Sequence, residues 1–229
     1  AVTVKDCDFV GNVRATTMSD AYGCAALSLQ NGTRLDNCFF TRNHVQHARA
    51  NAFSSICVSV GYAVTAFVTD CRFEKNSSCS TIGEAVPVVN YEWHSGSMQR
   101  CKFLGNKTVC GGTGTLVEGV SCIRTERART IVEEGVFANN TVSAVSDVDG
   151  ATVVAATTLA KGKETDLVFA NCVFADNAVD AVATGSGAVA KEARSVMSWR
   201  TGEATTITMG VLCQCTSVGS DSAPDLVNF

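Results

Sequence analysis

The chain has 229 residues, of which 46% are hydrophobic but only 7% aromatic, and its 18 Lys and Arg against 22 Asp and Glu leave a net charge of −4. A duplex nucleic-acid binder would normally show a basic face, and no strong basic excess exists here; with no eighteen-residue apolar run the sequence holds no membrane-spanning helix. The apolar fraction is mostly Val and Ala, which suits short strands with small inward side chains better than amphipathic helices.

The first predicted element is a strand through Val2 and Val4, apolar at period two. The phase breaks at Asp6, as at a corner, and resumes through Cys7 and Phe9. Asn12 follows at a second corner, where an amide can bond nearby backbone and tolerate left-handed torsions. A glycine-led apolar stretch, Gly23–Leu27, completes the unit. The same order then recurs along the chain as Cys38-Phe-Phe40-Thr-Arg-Asn43, Cys71-Arg-Phe73-Glu-Lys-Asn76, Cys101-Lys-Phe103-Leu-Gly-Asn106, Gly135-Val-Phe137-Ala-Asn-Asn140 and Cys172-Val-Phe174-Ala-Asp-Asn177. A degenerate copy, Cys213-Gln-Cys215-Thr-Ser-Val218, comes last. Spacings between the phenylalanines are 31, 33, 30, 34 and 37 residues, then 41 to Cys215. Later glycine-led stretches begin at Gly83, Gly114, Gly150 and Gly187.

Each repeat therefore offers about three short strands and three turns, and no segment has helical period. The expected fold is all-β: a right-handed parallel β-helix (solenoid) of about seven coils, with residues 1–229 forming one domain cut from a longer protein. Stacked at about 4.8 Å, the coils make a rod about 29 Å long. Phe9, Phe40, Phe73, Phe103, Phe137 and Phe174 are expected to form one buried column. Asn12, Asn43, Asn76, Asn106, Asn140 and Asn177 form another, its amides bonded along the axis.

Six Phe-x-x-Asn copies in register, five preceded by Cys, resemble the passenger domains of chlamydial polymorphic membrane proteins and the dispersed gene family surface proteins of trypanosomes. The glycine-led stretches match the chlamydial Gly-Gly-Ala-aliphatic pattern only in part. What the resemblance implies is surface display and adhesion rather than catalysis.

Twelve cysteines are many for this length, and Cys-x-x-Cys is absent, which weakens metal and redox readings. The repeat cysteines Cys7, Cys38, Cys71, Cys101, Cys172 and Cys213 read as small buried hydrophobes. Cys79 and Cys110 sit three and four residues after consecutive corner asparagines and are expected to pair as a disulfide. Sequons begin at Asn31, Asn76, Asn106 and Asn139. The ladder positions Asn76 and Asn106 are expected to stay bare, leaving Asn31 and Asn139 as the glycosylation candidates. His44-x-x-His47 lacks a third ligand and reads as two exposed loop histidines. Asp147 and Asp149 lack a basic partner at equivalent positions, and Arg124–Arg129 reads as a solvated turn. No catalytic, cofactor or metal residue is assigned.

The functional expectation is a non-catalytic extracellular or cell-surface module for adhesion, display or assembly. Its partners would be a protein or glycan ligand, neighbouring subunits, or flanking segments of its own chain. A pectin lyase-like carbohydrate-active lyase or hydrolase is the alternative. The two are separated by whether charged side chains cluster in one groove or scatter. At the ends, Ala1–Val4 begins as a strand with no cap before it. The motif decays where Cys215 replaces Phe and Val218 replaces Asn, Ser217–Asp225 is polar and turn-like, and Leu226–Phe229 reads as a further strand, so the first edge is expected to be covered by a partner and the isolated chain to self-associate.

Overall fold

The computed structural model describes residues 2–16, 23–29, 32–47, 54–60, 65–81, 83–93, 95–162, 164–199, 205–209, 214–216 and 226–228. Every element among them is a β-strand, and every pairing is parallel with the equivalent strand of the neighbouring repeat, which makes a β-solenoid.

Four walls run along it. Wall 1 stacks Thr3–Lys5, Arg34–Asp36, Ala66–Thr69, Gly96–Gln99, Arg129–Glu133, Thr165–Ala170 and Thr205–Met209. Wall 2 carries the motif phenylalanines, in Asp8–Val10, Phe39–Thr41, Arg72–Glu74, Lys102–Leu104, Val136–Ala138, Val173–Ala175 and Gln214–Thr216. Wall 3 follows the motif asparagines, in Val13–Thr16, His44–His47, Ser77–Ser80, Lys107–Gly111, Thr141–Ser146 and Ala178–Ala183. Wall 4 contains Leu27–Leu29, Val58–Val60, Val89–Glu92, Leu116–Glu126, Thr152–Lys161, Val189–Trp199 and Leu226–Asn228. A small separate sheet pairs Gly23–Cys24 with Ser54–Ser55.

The fourth wall corrects the three-strand repeat expected from the sequence. Residues after each motif asparagine form wall 3, where mixed inward residues such as Ser78, Thr108 and Val142 blur the apolar alternation.

Two left-handed corners fix the turns. Asp6, Asn37, Asp70, Arg100, Glu134 and Asn171 join walls 1 and 2 with φ between 50° and 55°. The second corner is not the motif asparagine but the residue before it: Gly11, Arg42, Lys75, Gly105, Asn139 and Asp176 all have positive φ. The asparagine is thereby turned inward. At both corners the backbone N–H still donates to the next coil, as Asp70 N does to Gln99 O at 2.9 Å and Lys75 N to Leu104 O at 2.9 Å.

The interior is columnar. Phe9, Phe40, Phe73, Phe103, Phe137 and Phe174 stack in sequence with centroids 4.5–4.9 Å apart. All are buried except Phe9, which is half-buried on the first coil. In the register, Cys215 takes the phenylalanine position above Phe174. In Asn43, Asn76, Asn106 and Asn140, Nδ2 donates both to the Oδ1 of the next asparagine and to the carbonyl of the preceding coil's phenylalanine; Asn76 makes these bonds at 3.0 Å to Asn106 and 2.9 Å to Phe40. The backbone N–H of Asn76 shares the same Asn106 oxygen at 3.0 Å, so the amide is saturated. Cys38, Cys71, Cys101 and Cys172 are buried with the phenylalanine column, their thiols donating to the carbonyl two residues earlier. They are free thiols, while Cys213 lies outside the described residues.

Wall 4 is less regular. Its strands lengthen from 3 residues at Leu27–Leu29 to 11 at Leu116–Glu126. In the longer strands the register shifts between Val120 and Ile123, and again between Ala156 and Thr158. The first halves of Leu116–Glu126 and Thr152–Lys161 pack on wall 3 through Cys110, Val117, Val142, Ala144, Val153 and Ala155. Gly119 permits that approach, because a Cβ there would lie 2.9 Å from Val142 Cγ1 and 3.0 Å from Cys110 Sγ. The second half returns to the phenylalanine core through Ile123 and Ala160.

Candidate functional site

Two places gather chemically capable side chains. The first is an open groove of about 570 Å³ along the outer corner of walls 1 and 2. Asn37, Asp70, Arg100 and Glu134 come to it from successive copies of one corner, and Phe39, Arg72 and Lys102 from one outward column of wall 2. Three of its charges, Asp70, Arg72 and Arg100, pair between coils or along a strand. Arg100 grips Asp70 at 2.6 and 2.8 Å, and that hydrogen-bonded guanidinium holds the Asp70 carboxyl below its ordinary range. Asn37 donates to Asp6 at 2.7 Å, and Arg72 meets Glu74 at 2.7 Å. On wall 1 alongside, Lys5 bridges Asp36 at 3.0 Å and Arg34 lies over the Phe67 ring at 5.2 Å. Phe39 in the groove and Phe67 on wall 1 beside it are 40% and 37% exposed, so aromatic faces lie among the charges.

The second place is a closed valley on the outer side of wall 4. Arg124 Nε lies 3.1 Å from Glu118 Oε1, a charge contact between residues six apart on one strand. Six extended residues rise about 20 Å, so the strand must fold at its bulge for these side chains to meet. Arg124 also reaches Glu126 at 2.7 Å and Glu84 at 3.4 Å. Lys161, from the next coil, bonds Glu118 at 2.9 Å and Glu84 at 3.0 Å. The Arg124 and Glu118 side chains are only 4% and 2% exposed. Above this clasp the same columns turn apolar: Val154 stacks on Glu118, Leu159 on Arg124, and Ala156 and Ala193 on Val120.

Burial pushes the Glu118 carboxyl above its ordinary range, against the pull of Lys161. Burial acts the same way on Glu84, but the charges of Arg124 and Lys161 outweigh it and hold that carboxyl low. Lys161 is held high because Glu118 and Glu84 overcome the burial that would lower it. The clasp corrects the reading of Arg124–Arg129 as a solvated turn. Arg124 lies inside a strand, and Arg127 sits at a corner (φ 51°) with its guanidinium 4.1 Å above Trp93.

No family model matches this chain, and no curated protein or solved structure matches it either.

The other sequence candidates fall as follows. Cys79 and Cys110 do not pair. Register sets Cys79 opposite Val109 and Cys110 opposite Ser80, so period two turns one thiol out while Cys110 points in and is buried; both are free. Their offsets of three and four residues after Asn76 and Asn106 differ in parity, which the sequence already contained. His44 is in a strand rather than a loop, half-buried, with Nδ1 2.9 Å from Ser77 Oγ. Among the described residues no three His, Cys, Asp or Glu side chains converge as metal ligands. Asp149 Oδ1 accepts the backbone N–H of Ser186 at 2.7 Å, tying one turn to the next, and Asp147 is exposed beside it. Asn139 is an exposed corner residue, whereas Asn31 lies outside the described residues.

Proposed function

We propose that this chain is a non-catalytic binding and display module of a cell surface or extracellular assembly, acting through the outward ladders of walls 1 and 2. The observation that carries this reading is how the charges are divided. In the accessible groove Asp70 and Arg100 pair between coils and Arg72 pairs with Glu74 along its strand, leaving a ribbed surface with Lys102, Glu134 and the exposed Phe39, and Phe67 alongside. Carboxylates that do converge on cations, Glu84 and Glu118, lie in the wall 4 valley instead, Glu118 buried and Glu84 partly so. Such a groove suits an extended glycan or polypeptide lying along the axis, and the resemblance to Phe-x-x-Asn surface proteins points the same way. Immobilised chain should retain glycans or cell-surface proteins, and Phe39→Ala with Lys102→Glu should abolish retention while leaving the fold intact. Unchanged retention by that variant would remove the groove from the proposal.

One observation favours a carbohydrate-active enzyme instead. Glu84 and Glu118 share Lys161 while their surroundings push their proton affinities in opposite directions, as an acid and base pair requires. Release of new reducing ends from a polysaccharide by the native chain, but not by Glu84→Gln, would replace the first reading.

A further inference from the structure

The asparagine ladder bears on a modification that the sequence invites. Asn76-Ser77-Ser78 and Asn106-Lys107-Thr108 are complete N-glycosylation sequons. In the fold both asparagines have no exposed surface. Both Nδ2 protons of each are engaged: Asn76 to Phe40 O and Asn106 Oδ1, and Asn106 to Phe73 O and Asn140 Oδ1, all at 2.9–3.0 Å. The sequon hydroxyls are equally committed. Ser78 Oγ donates to Val86 O at 2.7 Å and Thr108 Oγ1 to Val120 O at 3.0 Å. In N-glycosylation Nδ2 bonds to the sugar's anomeric carbon, the bond from that carbon to the diphosphate of its lipid donor breaks, and the proton lost from Nδ2 is accounted for by the departing diphosphate, so one N–H is gone. Glycosylation would therefore delete a ladder bond and place a saccharide where the next amide stacks.

Asn139-Asn140-Thr141 differs. Asn139 occupies the exposed left-handed corner that holds Arg42 and Lys75 in other coils, so a substituent there projects outward. Asn140, its neighbour in the ladder, keeps its own amide bonds.

We propose that a glycan on Asn76 or Asn106 and the closed solenoid exclude one another, whereas Asn139 carries a glycan in the folded state. Glycan transfer competes with folding, so the chain reaches this structure either where no N-glycosylation occurs or where its central coils close before those sequons are read.

The test routes the 229-residue chain through the secretory pathway of a cultured eukaryotic cell. Protease-resistant, monodisperse product is separated from aggregate, and site occupancy is mapped in each by mass spectrometry. In the folded fraction Asn139 should be occupied, and Asn76 and Asn106 depleted at least about tenfold relative to aggregate, the ratio set by one unsatisfied buried hydrogen bond. Equal occupancy of Asn76 or Asn106 in the two fractions overturns the exclusion, and a bare Asn139 overturns the assignment of the outward site. Should no folded product emerge, Ser78→Val with Thr108→Val removes both sequons using the residue type of the equivalent positions Val45 and Val142. That variant, first shown to fold when made in bacterial cytoplasm, should restore secretion of folded protein. If it aggregates as the native chain does, glycans at these sites are not the obstacle and the proposal fails.

Discussion

The motif side of the solenoid and wall 4 meet the same stacking problem in different ways. On the motif side the inward phenylalanines and asparagines meet copies of themselves: ring on ring at 4.5–4.9 Å and amide on amide at 2.8–3.0 Å. In wall 4 the columns change identity, from Glu84 and Glu118 to Val154, and Lys161 reaches a glutamate 77 positions earlier. A self-matching column needs only a repeated local pattern. A column of unlike residues needs partners from other coils, and its buried charges are stable only as a set.

The strongest way to test that contrast is to delete one member of each. Phe103→Ala removes a ring stacked on both sides and should cost about 3–5 kcal/mol in denaturant titration. A loss below about 1 kcal/mol would mean that the column relaxes around the gap and is not the organising core. Arg124→Met leaves Glu84, Glu118 and Glu126 facing Lys161 alone, and should cost about 3 kcal/mol. If it costs nothing, the valley is wet and its charges are no more coupled than those of the outer groove.

Alkaline titration compares the two regions without a large cavity. Burial pushes the thiols of Cys101, in the motif column, and Cys110, between walls 3 and 4, up to about 12 from 9.0. A thiol raised in the folded state contributes stability that is complete below the unfolded value and is lost as pH climbs from 9.0 to about 12, because only the unfolded chain releases the proton. Stability should thus fall with pH above that lower value, by about 1.4 kcal/mol per pH unit for each such thiol. Cys101→Ala and Cys110→Ala should each flatten the slope by one proton. A flatter slope from only one of them would show that the other region opens locally before the chain unfolds. The smallest effect is expected in the outer groove: Arg100→Ala removes an exposed bidentate pair with Asp70 and should leave the unfolding midpoint unchanged within error.

Much of this was legible in the residues. Strand period, the polar corner from Asp6 to Asn171 and the Phe and Asn columns follow from local pattern, because a parallel stack presents equivalent positions to one another. The second corner was legible too. Gly11, Gly105, Asn139 and Asp176 are residue types that accept positive φ, but Arg42 and Lys75 in the same column hid the signal. The Cys79 and Cys110 pairing failed on a parity that period two already dictates.

The sequence alone determined the β-solenoid and its self-stacking interior, since each of those contacts joins residues with the same place in the repeat. Only the tertiary structure decided the valley of wall 4. Its members, Glu84, Glu118, Arg124 and Lys161, share no motif and look like ordinary surface charges. They meet because one-residue register shifts bend the long strands, and because that bend shields from water a face that would otherwise point outward. Burial and charge pairing depend on where distant segments lie, and no local period encodes that.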